Sequence, residues 1–392
     1  MSKALRISLI TEPWAPEING VAMTLGQLVG QLQRQGHRVQ LVRPRQPGER
    51  CSSSDELMLV SGVAIPGYRE LRLGLPAGRA LKRNWRQQRP DVIYVATEGP
   101  LGWSAVRSAE TLGIPAVSGF HTQFHQYSGY YGAAWLQPLI YGYLKSLHNR
   151  TSATLVPTEA MRRDMNSDFR NVRVLGRGID THLFNPQKRC ENLRREWGAG
   201  EQDTVFLYVG RLAREKNIDT VLSTFLRLRH NNERARLVLV GHGPDYQRLY
   251  ERHEGVIFVG SKTDEELARH YASADLFLFP SMSETFGNVV LEAMASGLAV
   301  VAYDEAAAGI HIRHGENGML AESGDEASFL RHSSTLLNNR GYRQGLREAA
   351  RHDMQGISWE QVGNEFERIL RSSVNEELSD ESNECVAADF SR

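Results

Sequence analysis

Glu284 and Glu292 stand eight residues apart in SMSETFGNVVLEAMASG, where a polar turn runs straight into an apolar, Ala-rich segment. A helix starting near Phe286, Gly287 or Asn288 leaves Glu284 ahead of its first turn and carries Glu292 roughly one turn inside, so the two carboxylates flank a helix N-terminus. The amides at such a terminus suit a diphosphate. Ionised carboxylates only accept hydrogen bonds, so one can take hydroxyls from a sugar and the other from a ribose. An ordinary capped helix, with Ser281 or Ser283 at its start and Glu292 on a solvated face, has the same spacing.

Other residues with chemistry to offer sit at comparable places. Arg211 and Lys216 follow the apolar run TVFLYVG and precede a helix beginning near Ile218, so both can project into a cleft. Fixed cations there stabilise the charge that develops on a departing diphosphate more than they stabilise bound substrate. Arg chelates phosphate oxygens and Lys acts as a point charge. A helix start disfavours cations unless an anion compensates. His121 follows PAVSGF, at the carboxyl end of a strand, where open α/β sheets place ligands. A structural histidine bonded to backbone is the competing reading. Gly20, in EPWAPEINGV, has no side chain to hold a ligand off its backbone, although a plain strand-to-helix turn would use the same breakers. Gly241 and Gly243 in VGHGP form a further close-approach turn, a pattern common after strands.

The elements that must position these groups alternate. RISLIT, HRVQLVRP, LMLVSGVAIP, DVIYVATE and PAVSGFHT read as strands separated mostly by helical patterns, and LVLVGHGP, VIFVGS and DLFLFPS repeat the plan in the C-terminal half. The expected fold class is α/β, two Rossmann-like doubly wound domains facing a cleft. Gly176, Gly178 and Pro186 put the boundary near Asp180, giving domains at 1–180 and 181–356. Trp359, Val362, Phe366 and Ile369 are spaced as the core stripe of a last helix over 357–372. The acidic stretch 373–392 is poor in large apolar residues and is expected to be disordered.

The chain has 392 residues, enough for two cores, and its 46 basic and 46 acidic residues cancel, which argues against a partner held by overall positive charge such as nucleic acid. Cys51, Cys190 and Cys385 are few and far apart, so neither a disulfide framework nor a zinc site is indicated. No run of about 20 apolar residues appears, and the N-terminus shows no export signal. A cytoplasmic location fits.

Taken together, YVGRLAREKN, LVLVGHGP, DLFLFPSMSETFGNVVLEAMASGLAVVA and the N-terminal NGV resemble glycosyltransferase family four, retaining enzymes of the GT-B fold, over nearly the whole chain. The resemblance implies a hexosyltransferase whose nucleotide diphosphate sugar is a co-substrate. It gives Arg211 and Lys216 to the diphosphate, Glu284 and Glu292 to sugar and ribose hydroxyls, and His121, not His125, to the donor sugar. It places Gly20 beside the donor phosphates and Gly241 and Gly243 beneath the nucleotide, and it sends the last helix back across to the first domain. Two departures bear on the acceptor: a single glycine in NGV, and Arg177 in RGID, where many relatives have NGVD. Arg177 reads equally as a hinge or substrate residue and as a surface cation. The sequence holds no Asp-x-Asp, so no metal and no other cofactor is expected.

Arg79, Lys82, Arg83 and Arg86 fall at i, i+3, i+4 and i+7 after Pro76, a single cationic stripe with Leu81 and Trp85 on another face. Several such cations can hold a neutral protein reversibly on an anionic membrane, and a solvated helix face is the plainer alternative. Tyr127, Tyr130, Tyr131, Trp135 and Tyr141 read first as core and second as an acceptor lining. The leading expectation is α-mannosyl transfer from GDP-mannose to a lipid or lipid-linked acceptor by a peripheral protein on the inner face of the cytoplasmic membrane. UDP-glucose, UDP-galactose or UDP-glucuronate transfer to diacylglycerol comes next, then transfer to a soluble saccharide. From other classes, a UDP-sugar epimerase and a non-catalytic lipid-surface protein are both disfavoured by the ordered GR…EK and E-x7-E sites.

Overall fold

The computed structural model describes residues 3–14, 20–50, 54–65, 68–121, 137–165, 167–230 and 232–389, without the side chains of 65–71 and 377–389. The chain forms two compact units, Met1–Arg177 with Trp359–Arg392, and Gly178–Ser358.

In the first unit, β1 (Arg6–Ile10), β2 (Arg38–Pro44), β3 (Leu57–Val60), β6 (Val92–Val95), β7 (Ala116–Gly119), β8 (Ala153–Val156) and β9 (Val172–Val174) form one sheet in the order β3-β2-β1-β6-β7-β8-β9. All its pairings are parallel. Parallel neighbours need crossover helices, and helices on both faces leave the strands apolar along their length. The crossovers used below are α1 (Gly20–Arg34), α2 (Gly78–Gln87), α3 (Pro100–Leu112) and α4 (Gln137–His148). The run LMLVSGVAIP, expected as one strand, breaks at Ser61. Its second half is β4 (Gly62–Ile65), paired antiparallel with β5 (Tyr68–Gly74). A Cβ on Gly62 would lie 2.6 Å from the Pro44 Cβ, so only a glycine lets the chain turn off the sheet there.

The second unit pairs β10 (Thr204–Val209), β11 (Ala235–Val240), β12 (Ile257–Gly260), β13 (Leu276–Phe279), β14 (Ala299–Tyr303) and β15 (Met319–Ala321) in the order β12-β11-β10-β13-β14-β15, again all parallel. Every β10 residue is buried. The helices that matter here are α5 (Ile218–His230), α6 (Asn288–Ala295) and the final α7 (Trp359–Asp389). In each unit the strand order reverses once, between β1 and β6 and between β10 and β13. Such reversals open a crevice at the carboxyl ends of the strands.

Helix α7 packs on α1 inside the first unit. Phe366, Ile369 and Leu370 are buried, and Phe366 meets Tyr94 edge-on at 4.9 Å. Gly363 lies so close to α1 that a Cβ would come within 2.5 Å of the Gln31 Cβ. Glu367 reaches His37 Nε2 at 3.2 Å. The stretch 373–389, expected to be disordered, continues this helix. Glu, Leu and Ala there favour helix even where few large apolar groups are available to pack.

Candidate functional site

The reversal in the second unit collects most of the residues singled out above. After β10 the chain passes Gly210 and Arg211 into a single 3-10 turn, Arg214–Lys216, which Asn217 closes in the left-handed region at φ 53°. Asn tolerates that conformation better than most residues. Helix α5 follows at once. After β13 the chain runs through Ser281, Ser283 and Glu284 to Gly287, which caps α6 at φ +89°.

These two loops meet. Lys216 Nζ donates to Glu284 Oε1 at 2.6 Å and to the Ser283 carbonyl at 3.1 Å, and Ser281 Oγ donates to Glu284 Oε1 at 2.8 Å. The side chains of Lys216 and Glu284 are only 14% and 12% exposed. Arg211 is 37% exposed and lies 3.5 Å from the buried Glu215 carboxylate. The anion that a cation near a helix start requires is thus supplied by the protein itself, Glu284 for Lys216 and Glu215 for Arg211. A ligand carrying both hydroxyls and phosphates can exchange with the Lys216–Glu284 pair, since the hydroxyl donates to the carboxylate while a phosphate oxygen accepts from the ammonium.

Phe286 is buried and meets His311 edge-on at 6.1 Å. Asn288 opens α6, and Glu292 lies inside it, buried, accepting from the Tyr271 hydroxyl at 2.8 Å. Burial pushes the Glu292 carboxyl up to about 7, against the lowering effect of the Tyr271 bond. The solvated-face reading of Glu292 is therefore wrong, because the apolar α6 turns that face inward. Gly241 and Gly243 answer to protein backbone. A Cβ on Gly241 would fall 1.9 Å from the Gly210 carbonyl oxygen, and one on Gly243 would fall 2.3 Å from that of Leu212. The close approach read from VGHGP is to the neighbouring loop that carries Arg211.

In the first unit His121 lies just past β7, buried, with both ring nitrogens engaged. Arg177 Nη2 donates to Nδ1 at 3.0 Å, and Nε2 lies 2.7 Å from the Tyr94 hydroxyl. A guanidinium only donates, so Nδ1 accepts, and the neutral ring carries its proton on Nε2. Burial, then the charges of Arg177 and His148, hold this histidine well below its ordinary pKa. Arg177 is itself 7% exposed, its guanidinium also donates to the Leu175 and Gly176 carbonyls, and burial brings its pKa to about 10. The surface-cation reading of Arg177 fails, because both it and its partner His121 are buried. Gly119 makes room for this cluster: a Cβ there would meet the Tyr94 hydroxyl at 2.1 Å.

Gly20 is the first residue of α1, and among the described residues a Cβ on it would meet nothing within 4 Å. The loop before it, and the aromatic residues Tyr127, Tyr130, Tyr131 and Trp135 with His125, lie outside the described residues. Tyr141 belongs to a small apolar cluster, edge-on to Phe169 at 5.7 Å and bonded to Asp168 at 2.8 Å. On α2, Arg79, Arg83 and Arg86 are exposed and Lys82 is half-buried, while Leu81 and Trp85 are buried on the opposite face. No described helix is long and apolar enough to cross a membrane.

Sequence reasoning passed over Glu12, Glu98 and His148 in the first unit. The two acids had a signal, a repeated dipeptide: RISLI and VIYVA are each followed by Thr-Glu, at residues 11–12 and 97–98, while His148 had none.

The profile described as "Glycosyltransferase Family 4" matches residues 18–183, and "Glycosyl transferases group 1" matches 190–353. A GDP-mannose-dependent alpha-mannosyltransferase of Mycobacterium tuberculosis is 31% identical, over 92% of this chain and 95% of the relative. A sulfoquinovosyl transferase of Arabidopsis thaliana is 29% identical, over 92% of this chain and 72% of the relative. Among solved structures, a sucrose-phosphate synthase from Thermosynechococcus elongatus superposes with a TM-score of 0.76 at 20% identity, covering 93% of this chain and 98% of the other. Anabaena HepE in complex with UDP gives 0.73 at 17% identity, covering 94% and 100%. These likenesses establish the GT-B fold.

Proposed function

The chain belongs to glycosyltransferase family four, and from that premise we propose that it transfers mannose from GDP-mannose to a lipid or lipid-linked acceptor, forming an α linkage with retention. One observation carries the donor half: Lys216 and Glu284, from two different loops, meet at 2.6 Å beside Arg211 at the carboxyl end of the sheet. Arg211 and Lys216 hold the diphosphate and stabilise it as it leaves, without a metal. Glu284 orients the donor sugar and Glu292 faces the ribose. The mannosyl choice follows the relative named for GDP-mannose. Transfer from UDP-glucose or a related UDP-sugar to diacylglycerol is the second reading, favoured by a similar alpha-monoglucosyldiacylglycerol synthase of Streptococcus pneumoniae, 29% identical over 76% of this chain.

The deciding experiment is a matrix of GDP-mannose, UDP-glucose, UDP-galactose and UDP-glucuronate against diacylglycerol, glycosylated diacylglycerols and soluble saccharides, read as acceptor-dependent release of nucleoside diphosphate. GDP release with a lipid acceptor is expected. Turnover only with soluble saccharides defeats the lipid assignment, and activity that vanishes on chelation and returns only with a divalent cation defeats the metal-free scheme.

The lipid half also rests on the exposed cations of α2. Neutralising Lys82, Arg83 and Arg86 together should cost on the order of 1 kcal/mol of vesicle binding per charge at low salt. Wild-type binding should weaken more steeply than the variant's as salt rises. Co-sedimentation with anionic vesicles measures both. Equal binding by the two forms would reduce the stripe to a solvated face.

A further inference from the structure

The reversal between β1 and β6 holds polar groups that the donor chemistry leaves unused. Glu12 follows β1 and Glu98 follows β6. These strands pair directly, so the two residues leave the sheet side by side at its carboxyl end. The Glu12 amide donates to Thr97 Oγ1 at 3.2 Å, which ties the two loops together. Gly99 leaves space for the carboxylate, since a Cβ there would fall 2.0 Å from Glu12 Oε1. The Glu98 side chain is 4% exposed and that of His148, on α4, is fully buried, with its Nδ1 2.8 Å from Ser118 Oγ.

Three atoms here stand out. Glu12 Oε1, Glu98 Oε1 and His148 Nε2 are all buried and have no hydrogen-bond partner among the described residues. The last two face one another at 3.6 Å, too far for a hydrogen bond. Each such orphan costs roughly 1–3 kcal/mol of desolvation, and a cluster of them asks for a partner from outside the chain. Burial raises the Glu12 carboxyl to about 7, with Glu98 adding to the rise and bonds from Thr97 and Gly74 opposing it. Tyr143 donates to the Glu98 carbonyl at 2.6 Å, and its ring, 38% exposed, stacks on Trp103 at 5.3 Å.

We propose that Glu12, Glu98 and His148 form an acceptor subsite for a neutral polyhydroxylated head group and that its two carboxylates select against phosphorylated ones. The assignment rests on the glycosyltransferase reading and narrows it. A hydroxyl both donates and accepts, so one can bridge His148 Nε2 and Glu98 Oε1 while a neighbour donates to Glu12 Oε1. A phosphate brings only acceptor oxygens and negative charge to a buried place that already holds two acids. The exposed Tyr143 face offers apolar contact to the carbon skeleton of a ring.

The test uses the full chain, with methyl α-glucoside and inositol 1-phosphate as probes in saturation-transfer NMR. Wild type should contact the glucoside and not the inositol phosphate. Glu98→Gln and, separately, Glu12→Gln should each weaken the glucoside signal at least fivefold, near-UV circular dichroism reporting that each variant is folded. No glucoside contact in wild type, equal contact in wild type and both variants, or preference for the phosphorylated probe would overturn the proposal. GDP-mannose and UDP-glucose binding is measured on the same wild-type sample. Glucoside contact without binding of either donor would sink the donor reading and keep the subsite. Donor binding without glucoside contact would do the reverse.

Discussion

At the strand reversal of the second unit, Glu284 accepts from both Lys216 and Ser281. At that of the first, Glu12 and Glu98 each keep a carboxylate oxygen with no hydrogen-bond partner among the described residues. The two places share a topology and a residue type, and they differ in what the chain supplies around the acid. In the second unit cations arrive from the loop after β10, so the crevice is neutralised in advance and an anionic ligand enters by exchanging partners. In the first no Lys or Arg arrives among the described residues, and the proposed ligand there is a hydroxyl donor. The same α/β frame thus carries the two crevices proposed above, one for phosphates and one for neutral polyols, and the loop residues make the difference.

The sharpest way to break this comparison is through the glycines beside each crevice. Gly241→Ala drives a methyl group to 1.9 Å from the Gly210 carbonyl oxygen at φ +139°, with backbone on both sides. It should cost about 3 kcal/mol or more of stability. For Gly99→Ala the three atoms nearest the new methyl group all belong to the Glu12 carboxylate, and φ is an ordinary −66°. That side chain can swing away, so the cost should stay below about 1 kcal/mol. Urea denaturation of the two variants measures the gap, and equal losses would show that Glu12 is clamped as firmly as backbone.

A second test concerns the paired crevice. Lys216→Ala and Glu284→Ala should each lower kcat/KM by at least about tenfold, roughly 1.4 kcal/mol of transition-state stabilisation. Near-wild-type turnover at subsaturating donor by either folded variant would remove it from the donor site.

The smallest effect is expected from Glu292→Gln. Because burial raises the folded-state pKa from 4.5 to about 7, the stability tied to the protonated form is complete below 4.5 and is lost as pH climbs through about 7. The glutamine variant keeps the acceptor for Tyr271 and carries no charge. It should match wild type near pH 4.5 and exceed it by on the order of 1 kcal/mol at pH 8. A difference independent of pH, read by chemical denaturation, would mean that Glu292 is ionised throughout.

By itself the sequence determined the class of fold and pointed to the loops proposed for the donor. Apolar runs ending in Gly, Ser or His, separated by helix-period segments, leave little besides parallel sheets, and the order of GR…EK before E-x7-E singled out the loops proposed above for the donor. Such patterns are local, so they survive in one dimension. Only the tertiary structure decided which polar groups are paired. Lys216 and Glu284 are 68 residues apart and meet because β10 and β13 are neighbours. Arg177 reads equally as a hinge or substrate residue and as a surface cation until it is found on the ring of His121, 56 residues away in sequence. The Thr-Glu dipeptides after β1 and β6 drew no separate reading, and that the two acids lie buried and short of partners at neighbouring strand ends depends on strand adjacency and on burial. Neither quantity is written in the neighbours of a residue along the chain.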